Sequence, residues 1–182
     1  MGSALPAPSI TIEQYLTFES PEGFRDELIN GRIVMSPEPK ALHFDVADNL
    51  YRLLTKAAGK KFRVGQRMNL RFPDVNSMPS PDVFVIDLAE WKRARIQDVY
   101  PDGSQVRLAV EVLSPSNRKA ALQSKINIYT AHGIEAWLVD PKQQEVKVYV
   151  GREVRTASLK NNSELHWNGK SFLLAAVFHL PG

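Results

Sequence analysis

Between residues 105 and 139 the chain reads strand, helix, strand, and that order leaves few folds open. Val106, Leu108, Val110 and Val112 alternate with Arg107, Ala109, Glu111 and Leu113, the period of two expected of a strand. A helix follows, with Ser116 placed to cap it and Gly133 placed to end it near His132. Residues 135–139 are again a short apolar strand. Two strands joined through a helix make a right-handed crossover and lie in one sheet. The fold class is therefore α/β or α+β, a mixed central sheet flanked by helices.

The remaining segments extend that sheet. Thr11 with Gln14 three residues on forms a capping box for a short helix through about Phe18, which Pro21-Glu22-Gly23 ends. Asn30-Gly31, between two short apolar runs, is a strong hairpin signal. Leu42, Val46, Leu50, Leu53 and Ala57 recur at helical spacing over residues 40–58, and Gly59 stops them. Strands are expected at 62–64 and 68–72, a buried strand at 82–87, and one or two helical turns at 88–95. A strand at 146–150, a hairpin around Gly151 and a strand near 171–176 are expected to add to the sheet. With no internal repeat and no low-complexity linker, the 182 residues suit one domain over 11–182 behind a tail at 1–10.

Composition removes several function classes. Apolar residues at 43% and charged residues at 24% belong to a globular chain, not a disordered one. The sequence has no cysteine, which excludes disulfides, thiolate metal sites and cysteine nucleophiles. No apolar run approaches the roughly 20 residues that span a bilayer. Met1-Gly2-Ser3-Ala4-Leu5-Pro6 lacks the basic region and apolar stretch of a signal peptide, so a soluble, cytoplasmic protein is expected. The net charge of +3 says little, but its distribution says more. Arg52, Lys56, Lys60, Lys61, Arg63, Arg67 and Arg71 form a segment with no acid, whereas residues 13–27 are mostly acidic. A basic stretch can bind phosphates, and Lys60, Lys61 and Arg67 are its candidates for nucleic-acid contact. The plain alternative is a solvated helix end and hairpin. No aromatic series accompanies these cations, so single-strand binding is not indicated.

Three polar residues sit where a purely structural account is awkward. Asp82 follows Pro81 at the mouth of an apolar strand, and Glu111 lies near the end of a strand of Val and Leu. A carboxylate covered on both sides should be paired or bound to a cation. At about 100° per residue, with Ala121 as zero, Leu122, Ile126, Ile128 and Tyr129 span an arc from about −20° to 140°, and Lys125 falls near 40°. A lysine centred on a core-facing stripe needs a carboxylate partner or loses its charge. Two carboxylates at adjacent strand ends with an ammonium beside them suit Mg2+ or Mn2+, the lysine orienting or polarising an attacking water. The alternative is a buried Lys125–Glu111 ion pair with Asp82 as a strand cap.

The series Pro81-Asp82-Val83, Val110-Glu111-Val112-Leu113-Ser114-Pro115-Ser116, Lys125, Tyr129 and Trp137-Leu138-Val139-Asp140-Pro141 resembles the Uma family of restriction endonucleases, part of the PD-(D/E)XK nuclease superfamily. Glu27-Leu28-Ile29-Asn30-Gly31, and His43 after a Ser-Pro-rich break, match the same pattern, so the resemblance runs over roughly residues 11–150. It implies a restriction-endonuclease-like domain and metal-dependent hydrolysis of phosphodiester bonds, with DNA as the expected substrate. It maps Asp82 and Glu111 to the metal-binding acids. The superfamily's usual lysine, two residues after the second acid, is Leu113 here; the resemblance implies that Lys125 supplies the amine from the next helix. Glu27 would be an auxiliary acid, or only half of a hairpin salt bridge. His43 and Arg118 are candidates to meet a phosphate, against the alternatives of a core histidine and an exposed arginine. Tyr129 is expected to pack. Ser114 and Ser116 read as capping residues, and His132, His166 and His179 lack metal-ligand spacing. A chain this small needs a homodimer to cut both strands at once. Two further classes fit the same residues: a catalytically inactive nucleic-acid-binding module of this fold, and an interaction protein with a buried ion pair.

Overall fold

In a computed structural model, residues 9–114 and 119–180 are described. Helix α1 (Ile12–Tyr15) begins at Thr11, whose side chain and that of Gln14 form the reciprocal capping box. Strands β1 (Phe24–Ile29) and β2 (Arg32–Pro37) are an antiparallel hairpin. Its turn residues Asn30 and Gly31 both have positive φ, 49° and 72°, as a two-residue hairpin turn requires. Helix α2 (Ala41–Ala58) ends at Gly59, and β3 (Phe62–Gly65) follows. Next come β4 (Val83–Asp87), α3 (Leu88–Gln97), β5 (Val106–Val112), α4 (Lys119–Ala131) and β6 (Glu135–Asp140). The chain closes with β7 (Glu145–Val150), β8 (Glu153–Ser158), β9 (Glu164–Trp167), β10 (Lys170–Leu173) and α5 (Leu174–Val177).

The central sheet has six strands in the order β3-β4-β5-β6-β7-β8. Only β5 and β6 run parallel, with α4 as their crossover; every other neighbouring pair is antiparallel. The mixed α/β class expected from the sequence is the observed one. Both faces are covered. On one side α2 buries Val46, Leu50 and Leu54 against Val83, Val110 and Trp137, and the C-terminal segment adds Trp167 and Phe172. On the other, α4 buries Ile126 and Tyr129 against Phe84, Ala109 and Ala136. No described helix is long and apolar enough to cross a membrane.

Two expectations need correcting. Residues 68–72 alternate in polarity but form no strand. The Leu70 and Arg71 N–H groups donate to the Pro79 and Pro101 carbonyls, in loops, and only isolated bridges occur at Arg71 and Phe72. Local alternation was satisfied by loop packing rather than by a ladder. The C-terminal strand does not extend the central sheet either. β10 pairs only with β9 in a sheet of its own, and its Phe172 folds onto the α2 side of the core. Ser116, the expected cap of α4, lies outside the described residues.

Candidate active site

The register of β4 on β5 explains how two distant acids meet. Val83 pairs with Val110 and Phe84 with Ala109, so one further step sets Asp82 across from Glu111 where the two strands end. Asp82 and Glu111 are 4% and 3% exposed. Because β5 and β6 are parallel, α4 must return over the sheet between them, and it carries Lys125 to the same point. The Lys125 Nζ lies 2.7 Å from Glu111 Oε2. One turn further along the same helix face, the Tyr129 hydroxyl donates to Glu111 Oε1 at 2.8 Å. The β1–β2 hairpin supplies the third acid. Glu27 Oε1 is 2.7 Å from Lys125 Nζ and accepts the Ser80 N–H at 2.5 Å.

Asp82 is held separately. Its Oδ2 accepts the Val112 N–H at 2.8 Å and lies 3.1 Å from Nε2 of His43, which the first turn of α2 places there. Arg25, two residues before Glu27 on β1, brings Nη2 to 3.9 Å from Asp82 Oδ1. Burial alone would raise the Asp82 carboxyl, but the His43 hydrogen bond and charge, the Lys125 ammonium and the Val112 N–H together hold it below its ordinary value.

Two carboxylates thus contact one ammonium, and a third, Asp82, adds its charge from beside them. Burial of Lys125 works against its charge, but Glu111, Glu27 and Asp82 outweigh it and keep the amine protonated well past neutral pH. Glu111 carries the surplus. Both its oxygens accept hydrogen bonds, which favours the anion, yet burial, with Glu27 and Asp82 adding to it, pushes the carboxyl up to about 8 against the pull of Lys125. Burial likewise raises the Tyr129 hydroxyl, which stays a donor.

A pH dependence follows with a definite sign. In the unfolded chain Glu111 titrates near 4.5, and in the folded protein near about 8. The folded state binds that proton more tightly, so the Glu111 contribution is complete below pH 4.5 and is lost as the pH rises through about 8. Melting temperatures measured in EDTA are expected to fall across that window, and Glu111→Gln is expected to flatten the slope. An unchanged slope in the variant would place the titrating group elsewhere.

The cluster is not sealed. Glu27, Asp82, Glu111, Lys125 and His43 line a cavity of about 400 Å³. Among the described residues no three His, Asp or Glu side chains already form a metal cage. Magnesium, however, usually takes one or two carboxylates and completes its shell with waters and substrate phosphates. Among the described residues Asp82 Oδ1 and Glu27 Oε2 accept no hydrogen bond, leaving hard oxygen donors available beside the cavity. The donor chemistry fits such an ion.

Of the residues singled out from the sequence, Asp82, Glu111, Lys125, Glu27, His43 and Arg67 all border this cavity. Lys60 and Lys61 do not. They precede β3, whose Phe62 pairs with Asp87, so they stand beyond the far end of β4, about 16 Å from Asp82 at about 3.3 Å per residue. Arg118 lies outside the described residues. Tyr129 packs, as expected, and also donates to Glu111. Arg25 was not anticipated; the period of two along β1, which puts it on the same side as Glu27, was the available signal.

The sequence pattern of the Uma2 family, described as "Putative restriction endonuclease", matches residues 12–170. The structure of a "putative nuclease belonging to DUF820" from Anabaena variabilis superposes with a TM-score of 0.77 at 18% identity, covering 93% of this chain and 97% of that one. No curated protein matches.

Proposed function

Because the chain belongs to the Uma2 family, we propose that it is an endonuclease that hydrolyses phosphodiester bonds in DNA with the help of Mg2+ or Mn2+. The observation that carries this reading is that Glu27, Asp82 and Glu111 line one open cavity, with Glu27 and Glu111 both on the Lys125 ammonium. Such a surplus of buried negative charge calls for a proton or a cation. Asp82 and Glu111 would hold the ion, with Glu27 at its edge. When bound, the ion would stabilise charge developing on the phosphate and acidify a water.

The protein's own groups prepare the rest. The Val112 N–H and His43 fix one oxygen of Asp82, while the other has the Arg25 guanidinium 3.9 Å away and accepts no hydrogen bond among the described residues. Tyr129 pins Glu111 from the core side, so that its carboxylate cannot rotate away. Lys125, which lines the cavity while its ammonium reaches Glu111, Glu27 and the Ser80 carbonyl, would orient the attacking water and offset charge on the phosphate by exchanging one of those partners. His43 and Arg67, on the same wall, are suited to contact the substrate strand.

Supercoiled plasmid is expected to be nicked by the protein with Mg2+ or Mn2+ and left intact in EDTA. Plasmid and single-stranded DNA both left intact under every metal condition would end the nuclease reading. One observation favours a second reading, a nucleic-acid-binding module without catalysis: Lys125 already bridges Glu27 and Glu111 at 2.7 Å. That reading predicts salt-sensitive DNA binding that survives Glu111→Ala, with no nicking.

A further inference from the structure

Resting on the nuclease reading, we propose that the strand this site takes is unpaired DNA: Arg25 and Arg67 grip its phosphate, and Phe18, Phe24 and Tyr100 stack its bases. Two cations of this site each hold one donor without a hydrogen bond, although Arg25 Nε has the Glu38 carboxylate 3.8 Å away as an ion pair. Arg25 Nε and Arg67 Nη2 are shielded from solvent and, among the described residues, neither makes a hydrogen bond. Both side chains line the cavity that holds the acids. Buried N–H groups are ordinarily satisfied, and a phosphate offers acceptors of matching charge and geometry.

Arg67 is set for this task at some conformational cost. Its φ is +48°, in the left-handed region that residues other than glycine seldom adopt. Its N–H bonds to the Pro81 carbonyl, one residue from Asp82, which keeps it beside the acids. Its guanidinium lies over the Phe44 ring, 5.3 Å from the centroid.

The aromatic rim is the second, independent observation. Phe18, Phe24 and Tyr100 border the cavity yet remain 39%, 44% and 42% exposed. Single exposed aromatics are ordinary, but three from separate segments around one charged cavity form a patch that calls for a partner. The sequence shows no such series because these rings lie outside the basic segment; the fold brings them to it. The rim is also anchored. The Tyr15 hydroxyl donates to the Asp26 carbonyl at 3.1 Å and accepts from Asn69 Nδ2 at 3.0 Å. That ties α1 to β1 and to the loop of Arg67. The Ser20 hydroxyl bonds the Asp26 carboxylate as well.

Aromatic faces beside cations are the signature of single-strand binding, because an unpaired base can stack on a ring whatever its identity. In a duplex the base faces are already stacked on one another, and only a flipped nucleotide could reach these rings. The cavity of about 400 Å³ has the size that takes a single small ligand or nucleotide.

The test is fluorescence anisotropy with labelled oligo-dT of about 15 nucleotides and with a duplex of the same length, at one salt concentration and in EDTA. The single strand is expected to bind at least about tenfold more tightly. Phe24→Ala and Tyr100→Ala should each weaken it about tenfold without altering duplex binding, and Tyr100→Phe should restore it. Equal or tighter duplex binding, or alanine variants that bind the single strand like the wild type, would overturn the proposal. Plasmid nicking without strand preference would remove this inference and leave the nuclease reading standing. Strand preference without nicking would do the reverse.

Discussion

Lys125→Ala is expected to cost roughly 3–5 kcal/mol of stability at neutral pH, the range for removing one member of a buried ion pair. The amine is the only cation within 2.7 Å of both Glu27 and Glu111 among the described residues. Without it two carboxyl groups face each other in a poorly solvated space. Protonation of Glu111 would relieve part of the repulsion, which favours the lower end of the range. Lys125→Met, which keeps most of the volume, should lose nearly as much, because charge rather than packing is the main deficit. Combining Lys125→Met with Glu111→Leu should recover only part of it, because Glu27 is still left without its cation and the Tyr129 hydroxyl without its acceptor. Urea unfolding in EDTA reads all three. A loss below about 1 kcal/mol for Lys125→Ala would mean that the amine sits in solvent, where ion pairs contribute that little.

Asp82→Asn should leave the fold intact and remove the activity. Asparagine still offers an oxygen to the Val112 N–H, so the end of β5 keeps its partner. What disappears is a negative charge facing the cavity. Nicking is expected to fall at least about a thousandfold, equivalent to about 4 kcal/mol of transition-state stabilisation. Thermal unfolding supplies a readout apart from catalysis. An ion present at about 100 times its dissociation constant stabilises the wild type by about 2.7 kcal/mol. At about 2–4 °C per kcal/mol for a chain of this size, that is a rise of roughly 5–10 °C with Mn2+. The variant should show little of it. Equal nicking by both proteins would remove Asp82 from the reaction.

The central architecture was legible because its signals are local. The Asn30-Gly31 turn and the α2 stripe ending at Gly59 depend on near neighbours in sequence, and the crossover from β5 through α4 to β6 follows from the order of three elements that are each locally signalled. Lys125 was legible for a related reason: one amine in an apolar helical arc must have a partner, and Glu111 lay on the strand beneath it. The missed features depend on contacts distant in sequence. Residues 68–72 have the alternation of a strand, and nothing local reveals that their hydrogen bonds go to loops around Pro79 and Pro101. Arg25 stands in an acidic stretch, and its closeness to Asp82 follows only from how the hairpin seats against β4. Lys60 and Lys61 stand apart from this cavity. A run of cations in sequence need not share a surface, and the reversal at Gly59 carries these two to the far end of the sheet.

One consequence of the architecture concerns how the two sides of the cavity are fastened. Glu111 rides on a strand locked between neighbours in the middle of the six-stranded sheet, whereas Glu27 and Arg25 ride on a hairpin that is a sheet by itself. The first side works as a fixed jaw, which cannot shift unless the whole body unravels. The second is a seated jaw: Tyr15 bonds the Asp26 carbonyl, the Met78 N–H bonds the Leu28 carbonyl and Lys125 reaches Glu27 across the gap, so its place rests on a few separate contacts rather than on a ladder.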